Sequence, residues 1–384
     1  MRRTLLALAA ASALTGCEIT PSHVSSADID DALARRHYKT MCVGLEMRDD
    51  DVRRHAADRL ESIADNDPPD PKGLEIGRDC VCEHLVDDRG ELDLAIAEGL
   101  KGSQRDDMVG CLAEVAERPD LPNKAEAVRA LANTAAKVGR DGLARIAQDT
   151  ATASEIRVAA TQAIAGNADY RDVLLKLATQ DSDPAVRAAA ALGIAKFEGD
   201  DVIAALRKLA TEDPEGSVRG AALAALKKAR AEGIDELLCT AMMEDESPEV
   251  RSRAILAFKG TKRPEAIRCL RTRAFTEEPD ASVRGALLTV LKSSPSQDAA
   301  DVLCDAIPAW VRWYGKDDMP DVVPNADIAK AQNDRDWERS YQCLQRAYSQ
   351  RGSYSCYGKR YVGWWFKQVG GNGFVNKCPP KYPD

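Results

Sequence analysis

Cysteine is the residue type in this chain whose number and spacing point most directly to chemistry. The chain contains eleven cysteines and only four histidines. Cys80 and Cys82 form a C-x-C pair, whereas zinc and redox sites commonly use C-x-x-C, and no cluster of histidines accompanies them. The spacing therefore favours structural disulfides, and we expect neither a metal site nor a cofactor. Apart from Cys17, the disulfide candidates are Cys42, Cys80, Cys82, Cys111, Cys239, Cys269, Cys304, Cys343, Cys356 and Cys378.

Residues 1–16 have the layout of a secretory signal: two arginines, an apolar stretch from Leu5 to Leu14, and small residues before Cys17. The stretch is shorter than the roughly 20 apolar residues that a membrane-spanning helix needs. Its end, Leu-Thr-Gly-Cys, resembles the bacterial lipobox. That resemblance implies cleavage before Cys17, diacylation of its thiol and acylation of the new amine, which together give stable anchoring. Glu18 in place of Asp favours the outer membrane, and the alternative is an ordinary cleaved signal followed by a chance cysteine.

The charge of the chain limits the partners that we expect. The net charge is −9, and charged residues make up 30% of the chain. Nucleic-acid binding needs clustered lysine and arginine, so we expect no nucleic-acid partner. We expect the chain to contact the membrane through its lipid anchor, with its folded part facing the periplasm or the cell surface.

A repeat of 30 to 33 residues runs through the middle of the sequence. Its members share an apolar residue followed by arginine, at Arg157, Arg187, Arg219, Arg251 and Arg284. The positions one before, three after and seven after each arginine are nearly all apolar, which places them on one face of a helix. A shorter apolar segment, such as residues 202–206, precedes each arginine. The repeat unit is therefore predicted to be a short helix, a turn and a longer helix.

An acidic residue stands six positions before each of the last four arginines. These residues are Asp181, Asp213, Asp245 and Glu278. An acid in every turn and an arginine in every following helix predict a ladder of ion pairs from one repeat to the next. The alternative is that the arginines line a groove that binds anions.

The pattern acid-x-x-Pro-x-Val-Arg-x-x-Ala resembles HEAT repeats, in particular the short variety first named for phycobilisome lyases. This resemblance implies an all-α fold, a right-handed α-solenoid whose repeats contact only their neighbours, and protein partners on the surface of the longer helices. The regular repeats cover residues 124–319 and degenerate ones cover 38–123. Residues 17–37 are expected to be a lipid-anchored linker, and residues 320–384 a C-terminal segment of a different kind.

The C-terminal segment is rich in aromatic residues, and all five tryptophans lie at or after residue 310. We expect a small disulfide-bonded cap that covers the last repeat. The alternative is a contact with glycan or anionic lipid. Its candidate residues are Lys359, Arg360, Tyr361, Trp364 and Trp365.

The positions of the cysteines suggest a pairing scheme. Cys42 pairs with Cys80 or Cys82, and the other member of the C-x-C pair bonds Cys111, because adjacent positions diverge. Equivalent positions on the first helices of adjacent repeats pair Cys239 with Cys269. In the cap, Cys304 pairs with Cys343, and Cys356 with Cys378.

The sequence thus predicts a lipid-anchored, non-catalytic scaffold of the cell envelope that binds an unidentified protein. The first alternative is a lipoprotein that binds envelope glycan or lipopolysaccharide through the C-terminal aromatic and basic residues. The second is a lyase-like enzyme, because phycobilin lyases share these repeats. Those lyases work in the cytoplasm, which disagrees with the signal, and no histidine here is followed by the glutamate that metal-binding relatives of the repeat use.

Overall fold

The computed structural model describes residues 24–65, 70–296, 298–299, 301–302 and 305–306. Within these residues the chain is all-helical, and its only β-type pairing is an isolated bridge between Val86 and Leu92. None of the helices described there combines the length and the apolar character that crossing a membrane requires. The chain divides into an N-terminal unit, residues 1–164, and a C-terminal unit, residues 165–384.

The described part of the N-terminal unit contains nine helices. They are α1 (Ser26–Ala34), α2 (Tyr38–Leu45), α3 (Asp50–Glu61), α4 (Pro71–His84), α5 (Leu94–Gly99), α6 (Asp106–Glu117), α7 (Lys124–Ala132), α8 (Lys137–Gln148) and α9 (Ser154–Ile164). From α2 onward they alternate as first and second helices of consecutive pairs. First helices pack on first helices, as α2 does on α4, and second on second, as α3 does on α5. This is the stacking of an α-solenoid.

The described part of the C-terminal unit repeats this arrangement more regularly. Its helices are α10 (Arg171–Gln180), α11 (Pro184–Ile194), α12 (Asp200–Glu212), α13 (Gly216–Lys228), α14 (Ile234–Glu244), α15 (Pro248–Leu256), α16 (Pro264–Ala274) and α17 (Ala281–Ser293). The even-numbered helices are the first helices of the pairs. Each second helix packs on the next, from α11 through α13 and α15 to α17.

The apolar positions of the repeat form the core, as their spacing predicts. In α13, Val218, Ala222 and Leu226 are each fully buried. The position seven after Arg251 is Phe258, which follows the end of α15 and is the largest fully buried side chain among the described residues. A helix turns once in 3.6 residues, so steps of three and four keep these side chains on one face.

One expectation about local structure is wrong. The second helix is not consistently the longer one: α12 and α13 each have 13 residues, whereas α14 has 11 and α15 has 9. The first helices extend past their apolar segments because residues such as Arg207 and Lys208 are good helix formers and continue the exposed face.

Residues 26–34, expected to be linker, form α1. Its start is a capping box in which Ser25 accepts a hydrogen bond from the N–H of Asp28, while the Asp28 carboxylate accepts one from the N–H of Ser25. Ile29 and Ala32 of α1 are buried against α2 and α3. The short apolar pattern of this helix is too weak to stand out in the sequence.

Candidate interaction surface

An ion-pair ladder joins the second helices of the C-terminal unit at their N-terminal ends. Arg187 donates two hydrogen bonds of 2.9 Å to the carboxylate of Asp213. Arg219 binds Asp245 in the same two-pronged way at 2.8 Å. Arg251 binds Glu278 at 2.9 and 2.8 Å. The predicted ladder is therefore present over these three steps.

Each arginine also donates hydrogen bonds to backbone carbonyls in the turn that precedes its own helix. Nη1 of Arg219 donates to the carbonyl oxygens of Asp213 and Pro214, at 2.9 and 3.1 Å. Arg187 and Arg251 bind the corresponding carbonyls of their own turns. The side chain of each acid thus accepts hydrogen bonds from the arginine of the preceding repeat, while its backbone carbonyl accepts one from the arginine of its own repeat. These guanidinium groups are occupied by the protein itself, so they do not support the alternative of an anion-binding groove.

Two acids of the ladder, Asp213 and Asp245, are held ionised. Burial is the largest single influence on Asp213 and would raise its pKa. The hydrogen bonds from Arg187 and from the N–H of Glu215 together outweigh burial, so the pKa of Asp213 lies below its usual value. The pKa of Asp245 is lowered in the same way, by Arg219 and the N–H of Ser247 acting against burial. The hydrogen bond to Asp245 raises the pKa of Arg219.

One ladder contact in the N-terminal unit escaped the sequence analysis. Arg53 of α3 lies 2.9 Å from the carboxylate of Asp93, which caps α5, and both side chains are largely buried. Nη1 of Arg53 donates to the carbonyl oxygen of Met47, six residues earlier, as in the regular repeats. In the regular repeats an acid stands six residues before the arginine. Here Met47 occupies that position, so the sequence pattern did not predict an ion pair. Asp93 is 40 residues further along the chain.

The disulfides join first helices of adjacent repeats. Cys42 of α2 bonds Cys80 of α4, and Cys82 of α4 bonds Cys111 of α6. This is one of the two pairings that the C-x-C spacing leaves open. Side chains two residues apart on a helix are rotated by about 200° from each other, so the two thiols of α4 point to opposite neighbouring helices.

The third disulfide, Cys239–Cys269, joins α14 to α16 and was predicted. Cys304, Cys343, Cys356 and Cys378 lie outside the described residues, as do the lipidation site Cys17, Glu18 and the aromatic and basic residues of the C-terminal segment. Among the residues that the structure describes, no group of histidine, cysteine and acidic side chains could hold a metal ion.

The exposed side of the second helices in the C-terminal unit is poor in charge. Its members stand two residues before and five residues after each ladder arginine. We call this set the second-helix face, and it comprises Ala185, Leu192, Ser217, Ala224, Glu249, Leu256, Ser282 and Thr289, all exposed. Glu249 is its one charged member. It is paired at 2.7 Å with Arg253, which is also exposed and lies on the same side of α15. Leu192 and Leu256 are 47% and 41% exposed.

The first helices present the opposite kind of surface. In α16 the exposed residues include Glu265, Arg268 and Arg271. A groove of about 670 Å³ opens between the loops that precede α14 and α16, and its wall is also charged. Among the residues that line it, Asp235 is bound by Arg263 and lies 3.5 Å from Lys227.

Comparison with known families matches residues 150–227 and 236–313 to the family model of HEAT repeats. The matched segments run from α9 to α17, and the HEAT-like repeats predicted from the sequence are confirmed there. The comparison with curated proteins found no match. HEAT repeats generally act as scaffolds for protein interaction, and such solenoids expose extended binding surfaces.

Proposed function

We propose that the chain is a non-catalytic scaffold of the cell envelope, held at a membrane by a lipid on Cys17, that binds a protein partner through its HEAT repeats. The observation that carries this proposal is the second-helix face. Surfaces that bind proteins are depleted of charge at their centre. On this side of the described second helices, away from their ends, the exposed charges are Glu249 and Arg253, and these two pair with each other.

The contacts around this face support a binding role over a catalytic one. The arginines of the ladder, which could otherwise bind substrate, are committed to carboxylates and backbone carbonyls. In the charged groove, Lys227 and Arg263 are paired with the carboxylate of Asp235. Catalysis needs a nucleophile with its base or a metal, and the proposed role needs only shape and a water-excluding patch.

The lipid anchor is the other half of the proposal and rests on the sequence alone. The Leu-Thr-Gly-Cys motif at the end of an apolar stretch supports it. An anchored scaffold would present its repeats within a short distance of the membrane, where its partner would be recruited. We propose the outer membrane as the location, because Glu18 follows the cysteine.

Photo-crosslinking in the native cell tests the scaffold role. A photo-reactive amino acid is placed at residue 224 on the second-helix face and, in a second strain, at Thr240 on the exposed side of α14. We expect a crosslinked protein in at least one of the two strains. If neither strain yields a protein adduct, and the chain is recovered only with peptidoglycan or lipopolysaccharide, the glycan-binding alternative replaces the proposal.

A further inference from the structure

Two disulfides share one helix in the N-terminal unit. Cys80 and Cys82 both lie on α4, and they bond Cys42 of α2 and Cys111 of α6. The first helices of three consecutive pairs are therefore joined covalently, and we call α2, α4 and α6 the disulfide-linked stack. All four cysteines are partly exposed, so both bonds are open to a small reductant in solution.

The second helices beside this stack have less of the ion-pair ladder than those of the C-terminal unit. Among the described residues, one largely buried step joins them, from Arg53 of α3 to Asp93 at the start of α5. Arg105 adds hydrogen bonds to the carbonyl oxygens of Leu60 and Leu74, at 3.1 and 3.2 Å. In the C-terminal unit, three two-pronged steps join α11 to α17. Two disulfides are thus found where the ladder is least regular.

The helices of the stack are also poor helix formers. Helix α2 has 8 residues, fewer than the roughly 12–15 that an isolated helix needs. Helix α4 contains Gly73 and Gly77, and glycine disfavours a helix more than any residue except proline. A Cβ at Gly73 would lie 2.4 Å from the ring of Tyr38, so the close packing of α2 on α4 requires glycine there. By contrast, five of the eleven residues of α11 are alanine, the best helix former. Helix α4 therefore depends more on its neighbours than α11 does.

We infer that the disulfide-linked stack is a redox-sensitive element of the fold. While Cys42–Cys80 and Cys82–Cys111 are closed, α2, α4 and α6 stay packed. When these bonds are reduced, the three helices open, whereas α10 to α17 stay folded. The N-terminal unit is therefore open in a reducing compartment and closes in an oxidising one, where disulfides persist. The inference goes beyond the proposed scaffold function and does not rest on it.

The chemical step is thiol–disulfide exchange. A thiolate of a dithiol reductant attacks one sulfur of Cys42–Cys80, which breaks that bond and forms a mixed disulfide, while the other cysteine leaves as a thiolate. The second thiolate of the reductant then displaces the remaining cysteine, and the reductant becomes a disulfide. The two cysteines gain the two electrons and two protons that the reductant loses. A disulfide oxidant closes the bond again by accepting two electrons and two protons.

The C-terminal unit provides a matched reference. Cys239–Cys269 also joins neighbouring first helices, and its sequence separation is 30 residues, against 29 for Cys82–Cys111. The chain-entropy contribution of a disulfide depends on the length of its loop, so breaking either bond has about the same entropic effect. A difference between the two regions after the bonds are broken therefore reports the remaining contacts. Beside α14 and α16 those contacts include the ladder steps made by Arg219 and Arg251.

Hydrogen–deuterium exchange of the full chain, read by mass spectrometry of its peptides, tests the inference. The oxidised chain is compared with the chain kept in dithiothreitol at neutral pH. We expect the amides of α2, α4 and α6 to exchange in the reduced chain at the rate of an unstructured peptide. Those of α11, α13 and α15 should stay protected by at least about a hundredfold. Replacing the reductant with oxidised glutathione should restore the protection of the stack.

Two double variants compare single bonds. Cys82→Ser/Cys111→Ser removes the bond between α4 and α6, and Cys239→Ser/Cys269→Ser removes the matched bond between α14 and α16. In the first variant α6 should exchange as an unstructured peptide. In the second variant α16 should stay protected by at least about a hundredfold.

Protection of the stack that survives complete reduction would overturn the inference. An equal loss of protection in α11, α13 and α15 would also overturn it, because the response would not be selective. The same holds if α6 and α16 respond alike in the two variants, or if reoxidation fails to restore the stack, since the change would then be irreversible unfolding. The crosslinking test of the scaffold role uses positions in the C-terminal unit, so its outcome is separate from all of these.

Discussion

Replacing Arg219 with alanine breaks the central step of the ladder. The substitution removes the two hydrogen bonds to Asp245 and the two to the carbonyls of Asp213 and Pro214. The side chains of Arg219 and Asp245 are only 8% and 10% exposed, so the carboxylate is left in a largely buried place without its cation. Breaking a fully buried pair costs about 3–5 kcal/mol. Asp245 keeps the hydrogen bond from the N–H of Ser247, so we expect a loss of about 2–4 kcal/mol.

Urea unfolding followed by far-UV circular dichroism measures this loss. The matched control is Arg253→Ala in the next second helix, whose pair with Glu249 is about half exposed on both sides. The control should change the free energy of unfolding by no more than about 0.5 kcal/mol. The double variant Arg219→Ala/Asp245→Ala should lose less than the sum of the two single variants, because it leaves no uncompensated charge. If Arg219→Ala shifts the urea midpoint no more than Arg253→Ala does, the ladder contributes nothing and the reasoning is refuted.

The ladder also predicts how stability depends on pH. The pKa values of Asp213 and Asp245 are lower in the folded chain than in the unfolded one. Their contribution is therefore fully present above the unfolded pKa of about 3.9 and is lost as the pH falls through the lower folded values. In Arg219→Ala the pKa of Asp245 rises towards or above its unfolded value, so this variant should lose less stability between pH 5 and pH 3 than the parent chain. An equal loss in both proteins would show that Arg219 does not hold Asp245 ionised.

Three further predictions follow from the sequence and the packing. Cys17→Ser should release the chain from membranes on fractionation, and membrane association that persists in this variant would reject the lipid anchor. Reduction of the three described disulfides should lower the melting temperature, because each closes a loop of 29 to 38 residues and contributes about 3.5–4 kcal/mol by chain entropy. An unchanged melting temperature after complete reduction would contradict this. Gly99→Ala should destabilise by about 1–3 kcal/mol, since its added Cβ would lie 2.5 Å from that of Ala57 and 2.6 Å from a backbone oxygen. Gly110→Ala is the control, because the nearest described atom, on Val138, is 4.0 Å away, and it should be neutral or stabilising.

The sequence predicts the helical repeat and its ladder because both follow from short-range spacing. An arginine six residues after an acid, with apolar residues at one before, three after and seven after, is a local pattern. The assignment of each acid to the preceding arginine depends on how neighbouring repeats stack. The rung between Arg53 and Asp93 lies outside the pattern for that reason, since only the fold brings α3 next to the start of α5.

The candidate surface is harder to read from the sequence. Helix α11 has the sequence PAVRAAAALGI, which is apolar or small almost all the way round. Its period therefore marks the core positions Val186, Ala190 and Ile194 but does not show that Leu192 faces outward. Exposure of a leucine among alanines is decided by the neighbouring helices. The order of the C-x-C pairing has the same origin, since α2 and α6 flank α4 only in the stacked structure.

The disulfides and the ion-pair ladder lie on different helices of the repeat. All three described disulfides join first helices, whereas the three regular steps of the ladder join the N-terminal ends of second helices. In the C-terminal unit, the disulfide between α14 and α16 and the ladder from α11 to α17 both lie away from the exposed side of the second helices. A surface whose helices are joined at one end loses little conformational freedom when a partner binds. The second-helix face is thus both charge-poor and preorganised, which is the combination that a protein-binding scaffold requires.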